Sequence, residues 1–287
     1  MAAVRAWLPD GRLHLQHGPI DLVIQAFGSE KQVSNAYDHA WARFQAILET
    51  LVAELPLLRA PVADPYPLAR GPVARRMIAA VWPHREVFVT PMAAVAGAVA
   101  DEMLQAICSC ADLRKAYVND GGDIAVFLRP GESFTTGIVD NPFLPRIDAS
   151  VRIDAPCGIA TSGWRGRSQS LGIADAVTVL AQDAAAADAA ATLIANAVNA
   201  EHPSIRRLPG RQVKEDSDLG ERRVTVEVPP LPAGIVAAAL DKGLGVAAGM
   251  QAGGLIEAAF LSLQGRTRVC LPVGLDAERV RLTLQPS

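Results

Sequence analysis

The segment 177-VTVLAQDAAAADAAAT-192 places a short β-favouring run directly before a stretch that is almost pure alanine. Alanine is the strongest helix former, so residues 184–191 are predicted to be helical, with Asp183 or its neighbour as N-cap. Asp188 and Thr192 are one turn apart and share a helix face. Two interpretations follow. The small face packs closely against a sheet, or its two oxygen-bearing side chains line a site that a ligand approaches closely.

Composition limits the classes of protein to consider. The chain has 287 residues, half of them hydrophobic, which suffices for one large domain or two of ordinary size. With a net charge of -3, the chain lacks the overall positive charge that is typical of nucleic-acid-binding proteins. Arg165 and Arg167 form one local basic patch, whereas Arg206, Arg207 and Arg211, close to acidic residues, are typical of a solvated loop.

The cysteines and the apolar runs indicate in which cellular compartment the protein is expected. The four cysteines form no CxxC pair and no zinc-finger spacing, which predicts reduced, structural thiols: Cys108, Cys110, Cys157 and Cys270. The N-terminal apolar run ends at Pro9, before it is long enough for the apolar core of a signal peptide. No run approaches the ~18 uninterrupted apolar residues of a membrane span. We therefore expect a soluble cytoplasmic protein with no membrane or nucleic-acid partner and no deducible oligomeric state.

Local patterns predict the order of elements. Helices are expected over 28–55, 91–107, about 184–199 and 233–250, with a Pro-rich loop at about 56–72 and a polar loop at about 201–222. Strands are expected within 1–27, at 87–90 and 115–128, at 147–154 with 157–162, at 175–181 and 223–228, at 255–263 with 266–273, and at 279–284. Strands in adjacent pairs with helices between them favour an α+β fold with antiparallel sheets.

Two stretches carry residue types suited to phosphate binding. In 119-NDGGDI-124, the residues Asn119, Asp120, Gly121, Gly122 and Asp123 would let backbone amides approach a phosphate or flavin edge, with carboxylates for ribose or a metal. An ordinary hairpin turn explains the same composition.

The second stretch is 158-GIATSGWRGRSQS-170, where Thr161, Ser162 and Gly163 end a predicted strand. Their hydroxyls and the charges of Arg165 and Arg167 suit a phosphate, and a flexible surface loop is the alternative. A Ser-His-Asp hydrolase is poorly supported, because no G-x-S-x-G elbow occurs.

Read together, these stretches resemble the ApbE family of flavin transferases. That family shows a GGIAKGYAVD-like segment, then LGGDI, ATSG, HxIDPxTG, and TVxA followed by ADAxAT. The matching stretches here are 92-MAAVAGAVAD-101, 119-NDGGDI-124, 160-ATSG-163, 177-VTVLA-181 and 187-ADAAAT-192. The chain is most similar to the UPF0280 branch, whose members carry PMAAVAG and TSG-G-R-S-x-S-L-G-x-ADAVTVLA stretches.

The resemblance implies a T-fold-like, internally duplicated architecture, with residues 1–287 forming a single domain of two intertwined halves. It implies binding of FAD or a related phosphorylated cofactor, with Mg²⁺ held by Asp188, Thr192 and a backbone carbonyl near Val95. Two departures weaken the case for transfer chemistry. Ala96 stands where the family has lysine, and 168-SQSLGIAD-175 replaces HxIDPxTG, leaving Asp175 without the family's histidine.

Three functions are therefore compared. The first is a divergent FAD:protein FMN transferase, or an enzyme acting on another phosphorylated cofactor, with a protein as acceptor. The second is a non-catalytic flavin- or pterin-binding protein linked to one-carbon (tetrahydromethanopterin) metabolism. The third is a structural role without a small ligand. The catalytic residues stay unassigned.

Overall fold

A computed structural model describes residues 2–139, 149–271 and 280–284. The chain divides into two compact units, each built from separate stretches. The first unit contains Met1–Phe134, Asp154–Ala160 and Gln182–Ala189, and the second contains Thr135–Ile153, Thr161–Ala181 and Ala190–Ser287. The single intertwined domain and the internal duplication expected from the resemblance stay predictions.

The elements are given in chain order. The first part of the chain contains β1 (Val4–Trp7), β2 (Leu13–His17), β3 (Ile20–Phe27), α1 (Glu30–Phe44), α2 (Ile47–Ala53), α3 (Leu55–Leu58), α4 (Pro72–Val81), α5 (Val95–Cys108), β4 (Lys115–Asp120) and β5 (Asp123–Leu128). The remainder contains β6 (Phe134–Ile138), β7 (Ala149–Ile153), β8 (Cys157–Ser162), β9 (Ala176–Ala181), α6 (Ala184–Ala197), β10 (Arg206–Pro209), α7 (Gly210–Val213), β11 (Arg223–Glu227), α8 (Ala233–Ala252), β12 (Ala258–Leu263), β13 (Arg266–Cys270) and β14 (Val280–Leu284).

The first unit is built on an antiparallel sheet in which β1 to β5 follow one another in chain order and β8 lies next to β5. Along β3, the side chains of Ile20, Leu22, Ile24 and Ala26 are buried, and the residues between them are more exposed. This alternation buries one face of the strand. Helix α5 packs on β4 and β5, and α1 and α4 pack against α5, which places the core between helices and sheet.

In the second unit, β9 pairs with β12 and β12 with β13, both antiparallel, while β7 lies between β14 and β6 and β10 pairs with β11. Helix α8 packs on β12 and β13. Within the described residues, α8 is the one helix long and apolar enough to cross a membrane by length and composition. Its buried residues include Val236, Leu240 and Met250, as in a helix that covers a sheet. The predicted α+β class with antiparallel sheets and packed helices is confirmed.

Some predicted elements are wrong. The helix expected over 28–55 is divided into α1, α2 and α3, and Pro56 lies in the first turn of α3, where a missing N–H is tolerated. Residues 87–90 form no strand, and Val87 is exposed; Thr90 instead precedes a short 3₁₀ turn at Pro91–Ala94.

Other differences concern pairing and boundaries. Strands β7 and β8 were expected to pair with each other, but β7 pairs with β14 and β8 with β5. The polar loop at 201–222 contains β10 and α7. Positions 147, 148, 272, 273 and 279 of the predicted strands lie outside the described residues. None of the four cysteines forms a disulfide, as the sequence predicted.

Candidate functional site

The beginning of helix α6 is closely packed in the first unit. A Cβ atom on Gly97 of α5 would lie 2.1 Å from the Ala184 carbonyl oxygen, and one on Gly158 of β8 would lie 2.0 Å from the Asp183 carbonyl carbon. Only glycine permits such backbone approaches, and the facing alanines are fully or almost fully buried. The close-packing interpretation of the alanine-rich helix is therefore confirmed.

The first turn of α6 is capped by two carboxylates. Asp183 accepts a hydrogen bond from the Ala186 N–H at 2.8 Å, so it is the N-cap that the sequence predicted. Asp101 of α5 accepts hydrogen bonds from the N–H groups of Ala184 and Ala185. Asp101 closes the quoted segment 92-MAAVAGAVAD-101, but sequence reasoning assigned it no role, because the spacing of α5 does not show what its side chain meets.

Asp188 lies where α6 meets the beginning of α5. Its Oδ2 accepts a hydrogen bond from the Gly97 N–H at 3.1 Å. Burial raises the pKa of Asp188 well above its ordinary value, and the charge of Asp123 and then of Asp120 adds to the increase. The N–H groups of Gly97 and Ala96 act in the opposite direction. The surroundings of Asp188 therefore disfavour the ionised form of its carboxyl group.

The Asn119–Asp123 turn supplies the other two carboxylates. Asn119 Oδ1 accepts a hydrogen bond from the Gly122 N–H at 2.8 Å, and Gly121 and Gly122 have φ values of 63° and 117°. These dihedrals suit glycine. Asp120 and Asp123 face each other across the β4–β5 ladder, and Asp120 is buried. The structure thus brings Asp120 and Asp123 near Asp188, which the sequence alone could not show.

The predicted metal ligands are positioned as follows. Val95 is the first residue of α5, and Thr192 lies one turn beyond Asp188 in α6. In the described part of the chain, no group of three or more His, Cys, Asp or Glu side chains is placed to hold one ion. Carboxylate, hydroxyl and carbonyl oxygens are the donor type that Mg²⁺ takes, usually together with phosphate or water oxygens, and Mg²⁺ binding by these residues stays a prediction.

The second predicted stretch begins within β8, and its residues from Thr161 onward belong to the second unit. The hydroxyls of Thr161 and Thr178 are hydrogen bonded at 2.8 Å. Ser162 ends the strand, and a Cβ on the following Gly163 would lie 2.3 Å from the Asp175 carbonyl oxygen, so the backbone at Gly163 is closely packed, whereas Gly166 and Arg167 are exposed.

Asp175 binds the residues that come just after β8. Its Oδ1 accepts hydrogen bonds from Trp164 Nε1 at 3.1 Å and Arg165 Nε at 3.0 Å, and its Oδ2 accepts one from the Gln264 N–H at 2.6 Å. The Arg165 guanidinium also lies 4.4 Å from the Trp164 ring centre. The charge of Arg165 is thus balanced by Asp175, whereas Arg167 is exposed. Anion binding by these two arginines stays a prediction.

Comparison with known proteins gives the family. The family described as AbpE bacteria matches residues 5–269. A UPF0280 protein of Methanopyrus kandleri is 37% identical over 144 residues, covering 48% of this chain and 56% of the relative. A UPF0280 protein of Methanothrix thermoacetophila is 37% identical over 158 residues, covering 53% of this chain and 63% of the relative. The matches thus cover less than two thirds of these curated relatives.

Solved structures of low similarity were also found. A mutant of the flavin transferase ApbE from Vibrio cholerae has a TM-score of 0.44 and 12% identity, covering 95% of this chain and 98% of that one. The apo flavinyl transferase ApbE of Pseudomonas stutzeri has a TM-score of 0.43 and 13% identity, covering 94% of this chain and 93% of that one. Since the family match spans residues 5–269, the chain belongs to the AbpE bacteria family and is a UPF0280-type, ApbE-like protein.

Proposed function

We propose that this chain is a cytoplasmic protein that binds FAD, or a related phosphorylated cofactor, together with Mg²⁺ at Asp188. One observation carries the proposal. The Asp188 side chain lies where α6 meets the beginning of α5, its Oδ2 accepts a hydrogen bond from the Gly97 N–H at 3.1 Å, and the charges of Asp123 and Asp120 act on it. Mutual repulsion of carboxylates in a desolvated site is unfavourable, and a divalent cation offsets it.

In this proposal, Asp188, Thr192 and the Val95 carbonyl hold the ion, and the turn at Asn119–Asp123 approaches the cofactor. Thr161, Ser162 and Gly163 are the proposed hydroxyl and amide donors to the phosphates. When bound, Mg²⁺ neutralises phosphate charge and polarises the phosphoryl group. The protein's own contribution is a rigid frame, because the close contacts at Gly97 and Gly158 fix α6 relative to α5 and β8 within the first unit.

Two outcomes after binding are distinguished. An FMN transferase would form a phosphoester between the FMN phosphate of FAD and a Thr or Ser hydroxyl of a protein acceptor, while the pyrophosphate bond breaks, AMP leaves and the hydroxyl proton is released; the resemblance to the ApbE family implies this reaction. A non-catalytic flavin or pterin carrier linked to one-carbon metabolism is favoured by a specific feature. Ala96 offers only its backbone N–H to Asp188 and supplies no side-chain cation at the family's lysine position.

The test is a titration of the full chain with FAD, with and without Mg²⁺, followed by flavin fluorescence. We expect Mg²⁺-dependent binding that weakens about tenfold or more in Asp188→Asn. Asp38→Asn is the matched control, because Asp38 is an exposed aspartate of the same unit, paired with Arg5. Equal binding by wild type and Asp188→Asn would refute the metal assignment. Transfer to a Ser- or Thr-containing acceptor then separates the enzyme from the carrier.

A further inference from the structure

A cleft of about 520 Å³ lies in the second unit, between the residues that follow α6 and the beginning of β11. This volume is typical of a site for a small molecule, since such sites measure about 300–1,000 Å³. None of the residues that line it belongs to the candidate site described above. Its walls combine the arginines Arg207, Arg222 and Arg223 and one carboxylate, Glu201, with apolar surface from Leu171 and Ile205.

The hydrogen bonds of Arg207 that are described go to neutral acceptors. Its Nη2 donates to Asn199 Oδ1 at 2.6 Å and to the Ala200 carbonyl at 3.0 Å, both of them neutral acceptors. The nearest carboxylate that pairs with it is Glu201, at 3.7 Å with a side chain 93% exposed, and such a pair contributes little. The Arg207 side chain is itself only 11% exposed, so its position is fixed before any ligand arrives.

Arg223 is anchored in the same manner. Its Nη2 donates to the Arg207 carbonyl at 2.8 Å, again a neutral acceptor. Asn199 completes the frame, because its Nδ2 donates to the Leu171 carbonyl at 3.2 Å. Two guanidinium groups are therefore held beside one cleft by neutral acceptors, and a guanidinium fork binds phosphate and carboxylate oxygens in a bidentate manner.

Neighbouring arginines outside the cleft differ. Arg206 pairs with Glu227 at 3.1 Å, and Arg211 pairs with Glu221 at 2.7 Å. Neither residue lines the cleft. Arg207 differs from these surface pairs, because its hydrogen bonds go to neutral acceptors and its ion pair with Glu201 is long and its partner exposed.

We propose that the cleft binds a small organic anion that carries an apolar body and two or more negative oxygens, as a phosphate ester or a dicarboxylate does. The arginines receive the anionic group, and Leu171, Pro203 and Ile205 contact the body. This site is additional to the proposed flavin and Mg²⁺ site and shares no residue with it.

The test is isothermal titration of the full chain, without FAD or Mg²⁺, with phenyl phosphate and separately with phthalate. The variant is Arg222→Ala with Arg223→Ala, and the matched control is Arg206→Ala with Arg211→Ala. Both double variants remove the same charge from the same unit, so long-range attraction falls equally. We expect the cleft variant to bind about tenfold or more weakly than wild type and the control to stay within about threefold. The probe that binds more tightly identifies the anion class.

An equal loss in both double variants, or no binding of either probe by wild type at about 10 mM, would overturn the proposal, since that concentration corresponds to less than about 3 kcal/mol of affinity. Arg223→Lys is measured as well, with circular dichroism as the check on folding, so that a loss of fold in the cleft variant is distinguished from a loss of binding. Lysine keeps the charge and removes the fork. Binding weakened severalfold in a folded Arg223→Lys supports the proposal, and unchanged binding argues against the bidentate contact.

Discussion

The Asp101 carboxylate in α5 accepts a hydrogen bond from the backbone N–H of Ala184, the first residue of α6, at 3.0 Å. Its second oxygen accepts one from the Ala185 N–H at 2.9 Å. The first N–H groups of a helix have no partner within the helix and lie at its positive end. A side chain of α5 therefore caps α6 in the first unit and fixes the helix that carries Asp188.

Asp101 makes the stability of the protein pH-dependent. Burial raises the pKa of Asp101 to about 6, opposed by the hydrogen bonds from Ala184 and Ala185; the charge of Asp183 raises it and that of Arg76 lowers it. The folded chain thus holds a proton that the unfolded chain releases near pH 4. The free energy of unfolding falls as pH rises from about 4 to about 6, by about 3 kcal/mol at most, and this loss then stays constant.

Asp101→Asn removes this titration. We expect the stability of wild type relative to Asp101→Asn to decrease between pH 4 and 6 and to level off above pH 7, as measured by urea unfolding. The other titrating groups cancel in the difference between the two proteins. A difference that is constant from pH 4 to pH 7 would contradict the assignment.

Gly97→Ala tests the close contact between α5 and α6. The new Cβ would lie 2.1 Å from the Ala184 carbonyl oxygen, a backbone atom that moves only with its helix. We expect a loss of about 1–3 kcal/mol or more in the free energy of unfolding. Gly245→Ala in α8 is the control, because nothing lies within 4 Å of its Cβ, and a gain of about 0.5–1 kcal/mol is expected there. Equal effects of the two substitutions would exclude the close contact.

Asp188→Asn tests how much the Asp188 carboxyl group, which the proposed function requires, lowers the free energy of unfolding. Without metal at pH 7, the variant is expected to be more stable by about 1–3 kcal/mol, since burial and the charges of Asp123 and Asp120 disfavour ionisation of Asp188, whereas the amide does not ionise and still offers an acceptor to the Gly97 N–H. Added Mg²⁺ with FAD should raise the melting temperature of wild type and leave that of the variant unchanged. A variant less stable than wild type in the absence of metal would oppose this account.

Asp175→Ala tests the network behind β8. The substitution leaves the Trp164 indole N–H and the Gln264 N–H without their acceptor, and the Asp175 side chain is only 10% exposed. We expect a loss of about 3 kcal/mol in thermal unfolding, with a shift in Trp164 fluorescence. Asp175→Asn, which keeps one acceptor oxygen, should lose less. A loss below about 1 kcal/mol in Asp175→Ala would show that water replaces the carboxylate.

Strong local patterns predicted much of the fold. The β4–turn–β5 hairpin follows from two glycines between apolar runs, and the structure places Gly121 and Gly122 at positive φ. The N-cap at Asp183 also follows from local chemistry. The division of 28–55 into separate helices did not, because apolar periodicity continues through the break, and only packing decides where the chain bends.

The candidate site shows the same division. The sequence by itself determined that Asp188 and Thr192 share a helix face, that Asp120 and Asp123 flank a glycine turn, and that the chain resembles the ApbE family, because these properties depend on neighbouring residues or their order. Only the tertiary structure decided that Asp101 caps α6 and that Asp175 pairs with Arg165. It also decided that Arg207 and Arg223 lie beside one cleft with hydrogen bonds to neutral acceptors. These contacts join residues that lie far apart in the chain or on different elements, and their geometry is set by packing rather than by local sequence.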